Sequence, residues 1–291
     1  MRDKVKAVIE LTKPRQLILL LVTMYGAYFA AGGGLDPGTL ALLTIAGFGG
    51  VGGVTALNMY LEADLDSRMD RTRKRPLPSN RLSMGEAFIS IIVMILAGVV
   101  AALLINVYVA LALLAGLYFD IITYTELTKR RSISNLVLGS VAGSMPALGG
   151  WAAAAGGFTP GGIILAGIVF VWQPLHVSAL AYYFLDDYLK AGVPVLPAIV
   201  KPRTFAILVS SSIALLPVLA WLFVAVEGYG VAAAVVTTIM SIHAIIKILR
   251  FAESPRREAA LGMIKYASPL VAVAFILLPI EQAIQAVTLL G

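Results

Sequence analysis

The sequence predicts an all-α fold: a polytopic membrane helical bundle of nine transmembrane helices. Three observations point there. Of 291 residues, 59% are hydrophobic and only 13% charged, where soluble domains carry about 25% charged residues. The apolar residues gather in runs long enough to cross a bilayer, which takes about 20 residues of helix. Every Lys and Arg falls at the N-terminus or in every second break between those runs.

Taken in order, the first run (16–34) follows a charged, helix-patterned start, "MRDKVKAVIELTKPRQ", and ends in "GGGLDPG". No small-residue cleavage site follows a short apolar core, so no cleavable signal or transit peptide is expected. The second run (39–60) ends in the charged stretch "NMYLEADLDSRMDRTRKRPLPS". The third and fourth (85–105 and 107–124) are divided by Asn106, and the fifth (135–155) ends in "GGFTPGG". The sixth (161–184) runs into Asp186 and Asp187; "EGYG" separates the seventh (205–226) from the eighth (229–249). The ninth is 267–289. The uncharged breaks carry turn chemistry. No long polar insert suggests a second unit, so 1–291 reads as one membrane-embedded domain.

Five segments hold all 22 Lys and Arg. They are the N-terminus (Arg2, Lys4, Lys6, Lys13, Arg15), 68–81, 129–131, 190–203 and 247–265. With nine helices these segments share one side, which the positive-inside rule makes cytoplasmic. The protein is then a multi-pass cell-membrane protein, solvated by the lipid bilayer, with its C-terminus outside. Topology accounts for the net charge of +6, so no nucleic-acid partner is expected. The absence of cysteine excludes disulfides and thiolate metal sites.

Three segments carry chemistry. In the first, Asn58, Glu62, Asp66 and Asp70 are spaced by four, which keeps them on one slowly drifting helix face. Such a row of carboxylates repels itself unless a cation sits on it. Mg²⁺ takes one or two carboxylates together with substrate phosphate oxygens. The following bases, Arg71 and Arg75 among them, suit the phosphate. An interfacial loop obeying the positive-inside rule would explain the bases but not the acids. The second segment is "YTELTKRRSISN", 124–135. Its Lys129, Arg130 and Arg131 can serve as topology signals, with Tyr124, Thr125 and Asn135 adding polar groups at helix ends. The third is "WQPLHVSALAYYFLDDYLKAGVPVLP", 172–197. Here Trp172, Gln173 and His176 lie within the sixth span and Asp186, Asp187 and Tyr188 at its cytoplasmic end. Gln and His at membrane depth either line a cavity or bond across helices. Asp120 is a further intramembrane acid, either functional or paired with a neighbouring helix. The small residues of "LGSVAGSMPALGGW" are explained by helix packing. Two acid-bearing, base-flanked sites on one face of a membrane protein read as a diphosphate binder with a lipid-facing cavity.

At these residues the chain resembles the UbiA superfamily of intramembrane prenyltransferases and, within it, the branch whose acceptor is haem. Asn58–Glu62–Asp66 is similar to the motif N-x-x-x-D-x-x-x-D, with Glu for the first Asp. "RTRKRPLPSNR" resembles R-T-x-x-R-P-L through Arg71, Thr72, Arg75, Pro76 and Leu77. "YTELTKRRSISN" resembles Y-T-x-x-x-K-R-x-T-x-x-N, with Ser132 for Thr. The third segment resembles W-Q-x-P-H-F-x-A-L followed by D-D-Y and A-G-I-P-M-L-P, with Pro174 displaced by one residue and Val177 for Phe. His176 stands where many aromatic-acceptor relatives have an Asp.

The resemblance implies a UbiA-like fold and transfer of the farnesyl group of farnesyl diphosphate to a vinyl group of haem b. Mg²⁺ is the implied cofactor, with Glu62, Asp66, Asp186 and Asp187 as metal ligands. Arg71, Arg75, Lys129 and Arg130 would bind diphosphate. Trp172, Gln173, His176 and Tyr124 would face the acceptor, and Asn58, Glu62, Asp66 and His176 would be catalytic. A haem A synthase or haem–copper oxidase assembly pathway is the implied downstream partner. Two rivals stand beside this reading. A quinone-precursor or glycerol-lipid acceptor would favour Asp at position 176. A transporter gated by the charged clusters would show an inverted repeat with matching broken helices, and none is evident.

Overall fold

The computed structural model describes residues 2–290, and no β-strand occurs among them. Helix α1 (Arg2–Leu11) precedes α2 (Pro14–Ala30). Then α3 (Pro37–Ile45), a π-helical turn (Ala46–Val51) and α4 (Gly52–Leu61) form one rod, and the short α5 (Ala63–Arg68) follows it. Helix α6 (Met84–Ile105) leads to α7 (Val107–Leu117), which continues as a π-helix over Tyr118–Thr128. Next come α8 (Asn135–Ala155), α9 (Pro160–Tyr183), and the short α10 (Leu185–Lys190) and α11 (Leu196–Ile199). Helices α12 (Pro202–Glu227), α13 (Val231–Glu253) and α14 (Arg257–Leu290) complete the described chain. Eight rods are long and apolar enough to cross a membrane. The ninth, α2, has 17 residues, about 25 Å of rise. Each predicted run corresponds to one rod. The largest boundary difference is α14, which begins ten residues before the predicted 267.

Local chemistry sets the breaks. Asp36 accepts a hydrogen bond from the Thr39 amide at 2.7 Å and Pro37 opens α3, so the chain turns there. Ser83 and Glu86 form a reciprocal capping box that starts α6. Asn106 ends α6 in extended conformation and caps α7, its Oδ1 accepting from the Val109 amide at 3.0 Å and its Nδ2 donating to the Ala152 carbonyl at 2.9 Å.

Helices α2, α8, α9 and α14 pack as a closed inner group, α2 against α8 and α14, and α9 against the same two. Around it, α7 lies on α8, α6 on α7 and the π turn, α12 on α9, and α13 between α12 and α14. Small residues permit the closest approaches: a Cβ at Gly49 would lie 2.6 Å from the Met94 carbonyl oxygen. Outward, α6 exposes Ile89, Val93, Leu96, Val100 and Leu103. Their spacing of three or four makes one apolar stripe, the surface a helix presents to lipid.

The polar loops meet at one end. Arg81 pairs with Glu10, Arg130 with Asp64, Lys190 with Asp70 and Arg257 with Asp186. These pairs are exposed, so solvent and salt screen them and they add little stability. Their value here is positional: they bring α1, the segment 62–83, Arg130, α10 and the start of α14 together.

Candidate active site

The helix breaks at Glu62, where φ is −101° and ψ 10°, between α4 and α5. The row Asn58, Glu62 and Asp66 spans that break, and all three are buried, at 4, 3 and 3% exposure. Each faces one cation from a different segment. Lys13 donates from Nζ to Asn58 Oδ1 at 3.0 Å. Lys129 pairs with Glu62. Nη1 of Arg75 lies 2.8 and 2.7 Å from the two oxygens of Asp66. The Thr72 hydroxyl donates to the Asp66 carbonyl at 2.9 Å, which fixes the loop carrying Arg75.

The π-helix Tyr118–Thr128 sets the far wall. Asn58 Nδ2 donates to Thr125 Oγ1 at 2.8 Å, and Thr125 Oγ1 donates to the Asp120 carbonyl at 2.7 Å, five residues back. That five-residue step is the π-helical repeat, which is frequent at functional sites. Lys129 Nζ lies 5.0 Å from the Tyr124 ring centroid. Burial works against the Lys129 ammonium, but the Tyr124 hydroxyl and the Glu62 carboxylate outweigh it and hold its pKa above the ordinary lysine value. Lys13 behaves oppositely. Burial, then the Arg75 charge, lowers its pKa to about 8.

The second acidic segment abuts the first. Helix α9 breaks at Phe184 before α10. Asp187 is buried, and its Oδ2 accepts from the Arg71 amide at 3.1 Å. Leu65 and Met69 pack with Ala181, Val193 and Val195, which locks the two segments together. Asp70, Phe184, Asp187, Lys190 and Arg257 border a cleft of about 210 Å³. The Arg71 guanidinium lies 4.7 Å from the centroid of Phe184, one of the residues that border this outer cleft. Arg130 is exposed and donates to both oxygens of Asp64 at 2.9 and 2.7 Å. This bonding holds Asp64 below the usual carboxylate range.

On α9, Trp172 Nε1 donates to the Ala267 carbonyl of α14 at 2.7 Å. Gln173 Nε2 lies 3.4 Å from the Ser140 carbonyl of α8, and its amide fills the space a side chain at Gly143 would need. Both side chains thus tie α9 to neighbours. His176 stacks on Trp172 at 5.0 Å between centroids, 23° between planes, and its buried Nδ1 has no hydrogen-bond partner among the described residues. Tyr124 lies with Lys129 and packs over Gly139 of α8.

The structure therefore brings only some of the predicted residues together. Asn58, Glu62, Asp66, Arg75, Lys129 and Tyr124 are inner; Asp186 and Asp187 border the outer cleft, with Arg71 beside them on Phe184. Arg130 lies on exposed Asp64, and Trp172, Gln173 and His176 lie along α9 in neither group. Sequence reasoning missed Lys13, counted only as a topology charge, and Thr125 as the partner of Asn58. The signal for Lys13 was its place directly before Pro14 at a helix start.

The donor set is suited to a hard divalent cation. Glu62 Oε1 is buried and faces Lys129 alone. Among the described residues, no three acidic or histidine side chains converge as a metal-holding group. Asp186 is exposed and paired with Arg257, so it does not join Glu62 and Asp66 in one shell. The arrangement fits a cation shared between one or two carboxylates and phosphate oxygens, the usual composition of a Mg²⁺ site.

Residues 19–269 match the model of the UbiA prenyltransferase family. The chain is 54% identical to a protoheme IX farnesyltransferase of Aeropyrum pernix over 288 residues, 99% of this chain and 95% of that one. It is 40% identical to a protoheme IX farnesyltransferase of Thermofilum pendens, over 96% of this chain and 99% of that one. Among solved structures, a digeranylgeranylglyceryl phosphate synthase aligns with TM-score 0.79 at 17% identity, covering 97% of this chain and 99% of that one. A UbiA homologue of Archaeoglobus fulgidus bound to GPP and Mg²⁺ aligns with TM-score 0.64 at 16% identity, covering 94% and 99%. At these identities the two structures speak to the fold.

Proposed function

The chain belongs to the UbiA prenyltransferase family, and we propose that it farnesylates haem b within the membrane to give haem O and diphosphate. The observation that carries the acceptor is the 54% identity, over 99% of this chain, to a protoheme IX farnesyltransferase. The inner cluster supports the donor: buried carboxylates and half-buried cations meet where the polar loops join an apolar bundle.

In this reading Lys129 and Arg75 take the diphosphate oxygens of farnesyl diphosphate. Glu62 and Asp66 would hold a divalent cation such as Mg²⁺, which supplies charge neutralisation to the leaving group. The C1–O bond of the donor breaks and its electron pair leaves with diphosphate. The terminal carbon of a haem vinyl group bonds to C1. Water then captures the cation on the carbon beside the porphyrin ring and loses a proton. Preorganised cations favour the separating charge, and the apolar walls keep water from the allylic carbon too early. His176, with its unpartnered Nδ1, addresses the acceptor. The polar end faces the cytoplasm of a cell membrane by the positive-inside rule, and the product passes to an oxidising step such as a haem A synthase.

The test is direct. Membranes holding the protein are incubated with haem b, labelled farnesyl diphosphate and Mg²⁺, and the haem products are separated and weighed. Haem O is the expected product. Label passing instead to a quinone precursor or a glycerol lipid, with haem b untouched, would overturn the acceptor.

A further inference from the structure

We propose that Lys13 is a further diphosphate-binding residue, delivered to the donor site by the N-terminal segment. The proposal rests on the donor reading given above and adds a residue that lies outside the acidic and basic motifs.

The first ground is convergence. Lys13, Lys129 and Arg75 come from three separate segments, and each faces one member of the row Asn58, Glu62 and Asp66. Lys129 and Arg75 meet carboxylates, whereas the hydrogen-bond partner of Lys13, Asn58, is a neutral amide. The Glu62 and Asp120 carboxylates act on Lys13 from beyond ion-pair distance. Three cationic side chains gathered on one row suit the several oxygens of a diphosphate.

The second ground is the backbone. Lys13 has φ 48° and ψ 68°, the left-handed region. Among the described non-glycine residues only Asn80 also has positive φ, and Asn enters that region far more readily than Lys. Residues held this way persist where their surroundings fix them, and they cluster at functional sites. The fixing contacts are visible. Ala7 and Leu11 of α1 are buried with Ala56, Met59 and Leu77, and Glu10 pairs with Arg81. On the other side, Pro14 disfavours ordinary helical backbone for the residue before it. The turn sends Lys13 inward.

The competing account makes Lys13 one more topology charge. Such lysines extend to water, and Lys4, Lys6 and Arg15 are indeed exposed. Lys13 instead reaches Asn58, forty-five residues away in sequence. With donor present, its ammonium turns from Asn58 Oδ1 to a diphosphate oxygen as a point charge.

The experiment needs neither haem nor prenyl chain. Inorganic diphosphate with Mg²⁺ is titrated calorimetrically into the purified full-length protein in detergent. Lys13→Gly removes the amine and suits φ 48°, so the fold is kept. It is expected to weaken diphosphate binding at least tenfold. Lys13→Arg is expected to stay within threefold of the wild type, and Lys129→Met to lose affinity as Lys13→Gly does. Wild-type affinity in Lys13→Gly, with Lys129→Met weakened, overturns the role of Lys13 and leaves the donor site standing. Equal weakening in Lys13→Arg and Lys13→Gly also overturns it, because charge then does not matter. Unchanged binding in both Lys13→Gly and Lys129→Met removes the donor site itself.

Discussion

Arg75 holds Asp66 from nine residues further along the chain, its Nη1 at 2.8 and 2.7 Å from the two carboxylate oxygens. The pair folds the basic loop back onto the acidic helix it leaves. Removing one partner of a buried pair strands the other charge, at a cost of about 3–5 kcal/mol. Arg75→Met should therefore lower the melting temperature markedly. Adding Asp66→Asn removes the stranded charge and should recover much of that loss. In the proposed reading Asp66 and Arg75 each also act on the donor, so activity should stay absent in both. Haem O formation by the double variant near the wild-type rate would reduce the pair to scaffolding.

Lys129 and Arg71 should separate kinetically. Lys129 is half-buried against Glu62 and Tyr124, whereas Arg71 is exposed and lies over the Phe184 ring. Lys129→Met should raise KM for farnesyl diphosphate about tenfold or more, about 1.4 kcal/mol, leaving KM for haem unchanged. Arg71→Ala should have a smaller effect on the donor, near threefold. Equal effects of either variant on both substrates would count against direct diphosphate contact.

The long apolar rods were legible because lipid demands them. The break at Asn106 was legible too, since a lone polar residue there caps one helix and ends another. The start of α14 was not: Arg257–Lys265 carries charge, and a helix can run on beyond the apolar zone. The π-helix at 118–128 leaves no mark in composition, yet it sets which residue meets Asn58. The motif around Trp172 was visible, but a motif does not say which side chains face a substrate. Trp172 and Gln173 turned out to bridge helices. Lys13 was hidden among topology charges because its inward turn depends on α1, just before it, packing against Ala56, Met59 and Leu77 far along the chain.

That division on α9 gives a contrast between neighbours. Trp172→Phe keeps an aromatic ring but loses the five-membered ring of the indole and with it the bond to the Ala267 carbonyl, so stability should fall by at least about 1 kcal/mol. His176 Nδ1 has no partner to lose. His176→Ala should change stability less than its burial suggests, keep donor binding, and abolish haem O synthesis. An altered haem absorption spectrum in this variant would assign iron ligation, and an unchanged one would assign proton transfer. Normal haem binding with wild-type turnover would leave His176 as packing alone.

The final prediction concerns pH. Lys13 has its pKa lowered to about 8 from the ordinary lysine value of 10.5, first by burial and then by Arg75. Glu62 and Asp120 oppose that shift, and Lys129 adds to it. The folded protein therefore releases this proton before the unfolded chain does. Between about pH 8 and 10.5 the unfolded state binds more protons, so this group makes stability rise with pH across that window. Below pH 8 both states are protonated and the cost of the buried ammonium is fully present. Donor binding should run the other way, since it needs the charged form. Affinity for Mg²⁺ diphosphate should fall in the wild type as pH rises through about 8. Lys13→Arg stays charged past pH 12 and should show a flatter profile, with titration of the diphosphate common to both. Superimposable binding profiles for the two proteins from pH 7 to 10 would show that the Lys13 proton plays no part in holding the donor.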